Sequence, residues 1–213
     1  MALETNKPSF GVLDDVKVVY AAVELAVPKA CDLMADWGAD VTWLENTGAG
    51  DTIRDTAYVK QAERRNQRSV SLNYFSDEGK EVLFKMLADA DIFIEASKGG
   101  TWARKGITDE VLWEHNPALV ILHISGFGQT GDPDYVKKAS FDPIGQAFSG
   151  YASLNGFPGT PPSVTKPFTG DYMTGLMGAW ATLAAVIHAK ETGEGESIDC
   201  TQFESLVRVQ GAT

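Results

Sequence analysis

Thiols and imidazoles are scarce in this chain, which has 2 cysteines and 3 histidines in 213 residues. Cys31 and Cys200 stand far apart with no C-x-x-C spacing, so neither a disulfide framework nor a cysteine zinc site is expected, and a reducing, cytoplasmic setting fits. His115, His123 and His188 neighbour no nucleophile motif, and neither G-x-S-x-G nor H-E-x-x-H occurs. Serine-type acyl transfer and zinc hydrolysis therefore lose their usual signatures, no metal site is expected, and the three histidines read as structural. Positive charge is also short: 18 Lys and Arg face 29 Asp and Glu, a net charge of −11. Such a balance disfavours nucleic acid or an anionic lipid surface as partner. No apolar run reaches the roughly 20 residues of a membrane-spanning helix, and the most hydrophobic stretch, Leu176 to Ile187, is broken by Gly178. Met1 to Phe10 has neither the basic start nor the apolar segment of a secretory signal.

What is present is the composition of a globular protein, 44% hydrophobic and 22% charged. Short β-branched runs alternate with helical periodicity, the rhythm of βαβ units. Strands are expected at Val16 to Ala22, Asp40 to Glu45, Ser69 to Leu72, Asp91 to Ala96 and Leu119 to Ser125, with a last short one at Ser197 to Cys200. Helices are expected from Pro28 to Trp37, from Asp77 to Ala88 behind the cap Ser76, and behind Thr108 up to Pro117. Further helices are expected over Pro143 to Tyr151, Tyr172 to Glu191 and Gln202 to Val209. This order predicts an α/β fold, a Rossmann-like open and mostly parallel sheet flanked by helices, with ligands beyond the carboxyl ends of the strands.

Gly126 to Gly131 matches G-x-G-x-x-G after a strand, yet Asp132, Pro133 and Asp134 follow where a dinucleotide fingerprint opens a long helix. The first βα turn, Ala22 to Val27, has no glycine for a close approach of pyrophosphate. Neither nicotinamide nor flavin is therefore expected. Two cationic clusters, Arg54 with Arg64, Arg65 and Arg68, and Lys98 with Arg104 and Lys105, read either as solvated loops or as holders of a phosphorylated ligand. Asp171, just before the long small-residue helix, reads as an N-cap or as a carboxylate kept ionised by the helix dipole for chemistry.

Several blocks, in order, resemble class III CoA-transferases. They are Trp37 to Val41 with Glu45, Gly50 to Arg54, Arg64 to Asn66 with Ser71 to Asn73, Ser125 to Gly131, Phe141-Asp142 with Gln146-Ala147 and Ser149-Gly150, Gly170-Asp171, and Gly193 to Glu196. Within the family the likeness is nearest to the crotonobetainyl-CoA:carnitine CoA-transferases, through Asp91 to Gly99, Gly106 to Trp113 and Gln146 to Tyr151.

The resemblance implies coenzyme A as carrier, an acyl-CoA and a small carboxylic acid such as carnitine as substrates, and CoA contacts from Lys98, Arg104, Lys105, Arg54 and Leu72. Lys105 stands where the carnitine branch has arginine, keeping the charge without the bidentate fork. Asp171 aligns with the family's nucleophile, which passes through a mixed anhydride and an aspartyl-CoA thioester. With an ordinary pKa of about 3.9 it is expected to be ionised near pH 7 and to need no general base. Gly126, Gly128 and Gly170 are candidate N–H donors to the tetrahedral intermediates, and Trp102, Tyr151 and Tyr172 are candidate contacts for a quaternary ammonium. Acyl-CoA racemases of the same superfamily carry a histidine before the aspartate of the loop that here reads Phe141-Asp142; phenylalanine cannot move a proton, which favours transfer. The resemblance also implies that residues 1–213 form the CoA-binding and catalytic large-domain portion of an interlocked homodimer, with the smaller C-terminal domain absent. Racemase activity, or an inactive CoA-binding or assembly fragment, are the alternatives.

Overall fold

A computed structural model describes residues 10–48 and 50–211. The signal-peptide reading of Met1 to Phe10 falls, Phe10 apart, outside the described residues, as does the end of the chain at Thr213. The strands are β1 (Lys17–Ala21), β2 (Asp40–Glu45), β3 (Arg68–Ser71), β4 (Ile92–Ala96), β5 (Val120–Ser125) and β6 (Ser197–Thr201). They form one six-stranded sheet in the order β3-β2-β1-β4-β5-β6, and every pairing is parallel, not just most of them. Helices α1 (Ala26–Asp36), α2 (Ala57–Glu63), α3 (Asp77–Leu87), α4 (Asp109–His115), α5 (Pro133–Val136), α6 (Asp142–Phe148), α7 (Thr169–Thr192) and α8 (Gln202–Gln210) surround it.

The central strands are largely apolar on both faces because both faces are covered, with Glu95 of β4 and His123 of β5 as buried exceptions. Tyr20, Ile94 and Leu122 join Cys31 and Met34 of α1 and Ala179 and Ala185 of α7 in one core. Their strand neighbours Ala21, Phe93 and Ile121 join Leu83 and Leu87 of α3 and Leu112 of α4 in the other. Leu83 and Leu87, one helical turn apart, are fully buried, each contributing about 1.5–3 kcal/mol relative to exposure. Ser76 Oγ accepts from Gly79 N at 3.1 Å and Thr108 Oγ1 from Val111 N at 3.4 Å, so both expected caps form.

Some segments differ from expectation. The stretch between β2 and β3 folds into a 3₁₀ turn, Thr52–Asp55, followed by α2. The helix expected to reach Tyr151 ends at Phe148, with a separate 3₁₀ turn at Tyr151–Leu154. The long helix opens at Thr169, so Asp171 lies within its first turn and not at its N-cap. Among the described residues no helix is long and apolar enough to cross a membrane.

From β1 the chain steps outward to β2 and β3, then returns to lay down β4, β5 and β6 on the other side. The carboxyl ends of β1 and β4 are therefore a topological switch point, where a crevice opens. Small residues on α7 bring that helix close to α1. A Cβ at Gly175 would stand 2.4 Å from the carbonyl oxygen of Ala26, whereas one at Gly178 would meet the tip of Leu122 at 3.0 Å. Gly175→Ala is expected to lose about 1–3 kcal/mol by forcing backbone apart, and Gly178→Ala less than about 1 kcal/mol, because a leucine terminus yields and alanine favours the helix. Urea unfolding of the two variants measures the difference.

Candidate active site

Helix α7 begins without a local cap. Its N-cap residue, Phe168, offers no side-chain acceptor and has a left-handed backbone, φ 35°. The exposed donors of the first turn are instead met from α6: Asp142 Oδ1 accepts from Gly170 N at 2.7 Å and Asp171 N at 3.3 Å. Asp142 Oδ2 accepts from Gln146 Nε2 at 2.7 Å, and Gln146 Oε1 accepts from Thr165 N at 2.8 Å. The reading of Asp171 as an N-cap is thus corrected, since Asp142 does that work from 29 residues away.

Asp171 is left with other company. It is 8% exposed, and its Oδ1 accepts from Gln202 Nε2, the first residue of α8, at 2.6 Å. Gln202 Oε1 accepts from Ser140 Oγ at 2.6 Å, which fixes the amide with its N–H toward the carboxylate. Asp171 Oδ2 has no hydrogen-bond partner among the described residues, and the side chain lines the crevice. Burial pushes the Asp171 carboxyl up; the neighbouring charge of Asp142 adds to this, Gln202 opposes it, and Glu24 adds a little more, for a pKa of about 7. The expectation of an ordinary, fully ionised aspartate is corrected: desolvation and like charge outweigh the helix dipole.

Two cavities meet at this side chain and share Glu24, Leu25, Phe141 and Asp171 as walls. The first, about 180 Å³, lies across the carboxyl ends of β1, β4 and β5 and includes Lys98, Lys138 and Gly126. The second, about 400 Å³, runs toward the 3₁₀ turn and α2 and includes Tyr58, Asp142 and Phe168.

Of the residues implied as CoA contacts, Lys98 is exposed and shares the first cavity with Asp171. Arg104 and Lys105 sit in a 3₁₀ turn beyond β4. Arg104 donates to Gly99 O at 3.2 Å and Thr101 Oγ1 at 3.1 Å, and Lys105 Nζ lies 5.7 Å from the Phe75 ring. Leu72, half-buried just after β3, packs with Tyr74 and Phe75 against the core on one face, and Tyr74 stacks on Trp102 at 5.2 Å. Arg54 is engaged by Glu45, 2.6 Å from Nε to Oε1, and lies over Trp43. Arg64, Arg65 and Arg68 pair with Asp51, Asp36 and Asp40, so these three serve the fold.

Other expectations move. Gly128 N donates to Ser125 Oγ at 2.8 Å and Gly170 N to Asp142, so neither is free to receive an oxyanion. Trp102 is buried among Tyr74, Phe75 and Phe93, Tyr172 OH donates to Glu63 Oε1 at 2.9 Å, and Tyr151 lines neither cavity at Asp171. The aromatic side chains at the site are Tyr58, Phe141 and Phe168. His123 is buried, with Nδ1 2.8 Å from Glu95 Oε1 and Nε2 3.0 Å from Asp109 Oδ1. Burial alone would lower this imidazole, but both carboxylates override it and lift it to about 10, a structural cation consistent with its reading. Glu24 and Gln202 carried no local signal, and Asp142 stood in a quoted block without a role.

The strand order and the crevice define a Rossmann-like α/β protein with a carboxyl group buried at its switch point. Comparison with known proteins narrows this further. The family model for CoA-transferase family III matches residues 13–213. An L-carnitine CoA-transferase of Proteus mirabilis (strain HI4320) is 48% identical over 202 residues, covering 95% of this chain and 50% of that protein. A CAIB/BAIF family protein from Brucella suis superposes with a TM-score of 0.88 at 32% identity, over 95% of this chain and 56% of that one. A hypothetical protein from Mycobacterium tuberculosis, 24% identical, shares the fold with a TM-score of 0.85 over 94% of this chain and 57% of its own. The chain belongs to CoA-transferase family III, and it spans about half the length of the curated relatives it matches.

A carboxyl group raised from 3.8 to about 7 binds its proton more tightly folded than unfolded. It therefore withdraws stability as pH rises from about 4 to about 7, and the penalty is complete above that window. Asp171→Asn keeps the acceptor for Gln202 and abolishes the buried charge. It is expected to raise stability by about 2–4 kcal/mol at pH 8 and by almost nothing at pH 4, as read by urea unfolding at the two pH values.

Proposed function

We propose that the chain forms the CoA-binding and catalytic large-domain portion of an enzyme that moves coenzyme A from an acyl-CoA to a small carboxylic acid, with Asp171 as nucleophile. The observation that carries this reading is the position of Asp171, on the wall between two cavities with one oxygen held and the other open. Family membership supports the reaction class. Phe141 at the same wall supplies no proton-transfer group, which supports transfer over racemisation. Lys98, with Arg104, Lys105, Arg54 and Leu72 along the carboxyl edge of the sheet, is assigned to CoA, and the second cavity to the acid.

In this cycle Asp171 Oδ2 attacks the thioester carbonyl, the C–S bond breaks, and CoA leaves as thiolate. A mixed anhydride joins Asp171 to the acyl group. The thiolate then attacks the aspartyl carbonyl carbon, releasing the first acid and leaving an aspartyl-CoA thioester. The acceptor carboxylate attacks that carbonyl and expels thiolate, giving a second anhydride. Thiolate finally attacks the new acyl carbonyl, forming the product thioester and restoring the Asp171 carboxylate.

Once Oδ2 is acylated, Oδ1 is the carbonyl oxygen on which negative charge gathers in each attack at the aspartyl carbon. Gln202 Nε2–H already points at it from 2.6 Å. That amide takes the oxyanion-stabilising role that Gly128 and Gly170 are too engaged to fill.

Incubation with an acyl-CoA and hydroxylamine, followed by peptide mass spectrometry, is expected to show Asp171 as its hydroxamate. An unmodified Asp171 in a preparation that binds CoA overturns the mechanism. Gln202→Leu is expected to slow attack at the aspartyl carbonyl by about 10²-fold, measured as slower decay of the trapped intermediate with CoA binding unchanged.

A further inference from the structure

A buried cluster of charges lies beside the start of α7 and takes no part in the proposed cycle. Asp32 of α1 and Glu63, the last residue of α2, are 0% and 4% exposed. Lys29 Nζ reaches both, 2.9 Å from Asp32 Oδ2 and 3.8 Å from Glu63 Oε2. Arg65 Nη1 adds a contact to Asp32 Oδ2 at 3.2 Å, while its Nε serves Asp36. Asp32 Oδ1 and Glu63 Oε2 are buried with no hydrogen-bond partner among the described residues. Such a cluster is a poor stabiliser of a fold, because taking carboxylates out of water costs more than an incomplete set of partners restores. Apolar side chains of similar size would hold the three helices together better.

What the cluster holds is Tyr172, the residue after Asp171. Its hydroxyl donates to Glu63 Oε1 at 2.9 Å, and Lys29 Nζ lies 5.4 Å from its ring centroid. Burial and then the Glu63 carboxylate push the Tyr172 phenol up, so it keeps its proton and remains a donor. The bond ties the first turn of α7 to the C-terminal end of α2. Both elements line the larger cavity, α2 with Tyr58 and Val59 and the start of α7 with Phe168 and Asp171. Asp142 holds that turn by its backbone N–H groups from the side of α6, and Tyr172 holds it by a side chain from the side of α1 and α2.

Resting on Asp171 as the nucleophile, we propose that Tyr172 and Glu63 are positioning residues for it: their hydrogen bond fixes the first turn of α7 against α2, with Lys29 and Asp32 as the charged socket that holds Glu63 in place. A displacement of about 1 Å in a reacting group can cost on the order of 10²-fold in rate, so a bond that sets where this turn stands acts on the chemistry without touching substrate.

The test reads Asp171 in the full chain by two routes, one of which needs no chemistry. Burial, Asp142, Gln202 and Glu24 set the Asp171 pKa, and neither Tyr172 nor Glu63 contributes, so a change on altering them reports movement of the turn. Tyr172→Phe keeps the ring and removes one oxygen. It is expected to let water reach Asp171 and lower its midpoint, raising the ionised fraction at about pH 6 by about threefold or more. NMR titration of the aspartate carboxyl carbons, assigned with Asp171→Asn, measures this. In the same variant, adduct formation at Asp171 from saturating acyl-CoA is expected to slow about tenfold or more, with CoA affinity unchanged. Glu63→Leu should match it, and the double variant should be no slower than either single one, because all three lose one and the same bond. Glu63→Gln, whose amide oxygen still accepts the phenol, should stay close to the unmodified protein. An Asp171 titration unmoved by Tyr172→Phe, or a Glu63→Gln variant as impaired as Glu63→Leu, overturns the positioning role. Tyr172→Phe decides alone where Glu63→Leu does not fold. A moved titration with no adduct even in the unmodified chain sinks the transfer reading alone, and an adduct with an unmoved titration sinks the positioning role alone.

Discussion

The site depends on one non-local cap. Asp142 reaches from α6 to the exposed N–H groups of Gly170 and Asp171, and this satisfies the start of a 24-residue helix whose own N-cap residue, Phe168, offers no side-chain acceptor. A carboxylate spent on capping commits an oxygen to the helix. With the cap supplied from outside, Asp171 turns toward Gln202 and the crevice. Gly170 is part of the same arrangement, since a Cβ there would stand 3.1 Å from Asp142 Oδ1 and 3.2 Å from Leu206. The close passage of α7 over α1 at Gly175 then holds this turn beside the β1–α1 loop, where Glu24 lies.

The parallel sheet supplies the rest of the geometry. Because β1 and β4 are neighbours whose connections depart in opposite directions, their carboxyl ends leave a gap that no loop bridges directly. The loops after β1, β4 and β5 line one cavity, and the β1 loop with the segment after β2 lines the other. Asp171, arriving from a helix late in the chain, closes the wall between them. A protein with a net charge of −11 thus confines Lys98 and Lys138 to one side of its buried carboxyl group.

Most of the sheet was legible because its cause is local. A strand buried on both faces reads as a nearly unbroken apolar run, which located Leu119 to Ser125 to within one residue of the observed Val120–Ser125, and Asp40 to Glu45 was bounded as observed. Ser76 and Thr108 announced their helices for the same reason: a cap and its donor lie three residues apart. What escaped was non-local. The start of α7 was placed three residues late, at Tyr172 instead of Thr169, because Asp171 has the chemistry of a local cap while the actual acceptor is Asp142. Helix α2 was hidden because tertiary pairing, Arg64 with Asp51 and Tyr172 with Glu63, settles its surroundings more than propensity does. Asp171 stood out through the ordered blocks around it, but its raised pKa did not, because desolvation and the charge of Asp142 belong to the folded chain alone. The aromatic contacts were misplaced for a related reason: Trp102 and Tyr172 carry the right chemistry, and only the fold reveals that Trp102 is buried and that Tyr172 is engaged by Glu63 and Lys29.

A carboxyl group titrating near pH 7 looks poorly chosen as a nucleophile, since about half of it is protonated there. The balance changes when the product of attack is considered. The terms that raise the pKa, burial and repulsion by Asp142 and Glu24, all penalise the negative charge on Asp171. An acylated Asp171, whether anhydride or CoA thioester, carries no charge, so forming it relieves the same penalty that protonation relieves. A shift from 3.8 to about 7 corresponds to at most on the order of 4 kcal/mol, and in the proposed cycle that free energy favours the covalent intermediates over the free carboxylate. The ionised fraction lost is a factor of about two at pH 7, or about 0.4 kcal/mol. Greater basicity of the carboxylate that remains works in the same direction. Stability sacrificed at Asp171 is in this way returned at the covalent step, while Gln202, by holding Oδ1, keeps the shift from rising so far that the carboxylate is lost.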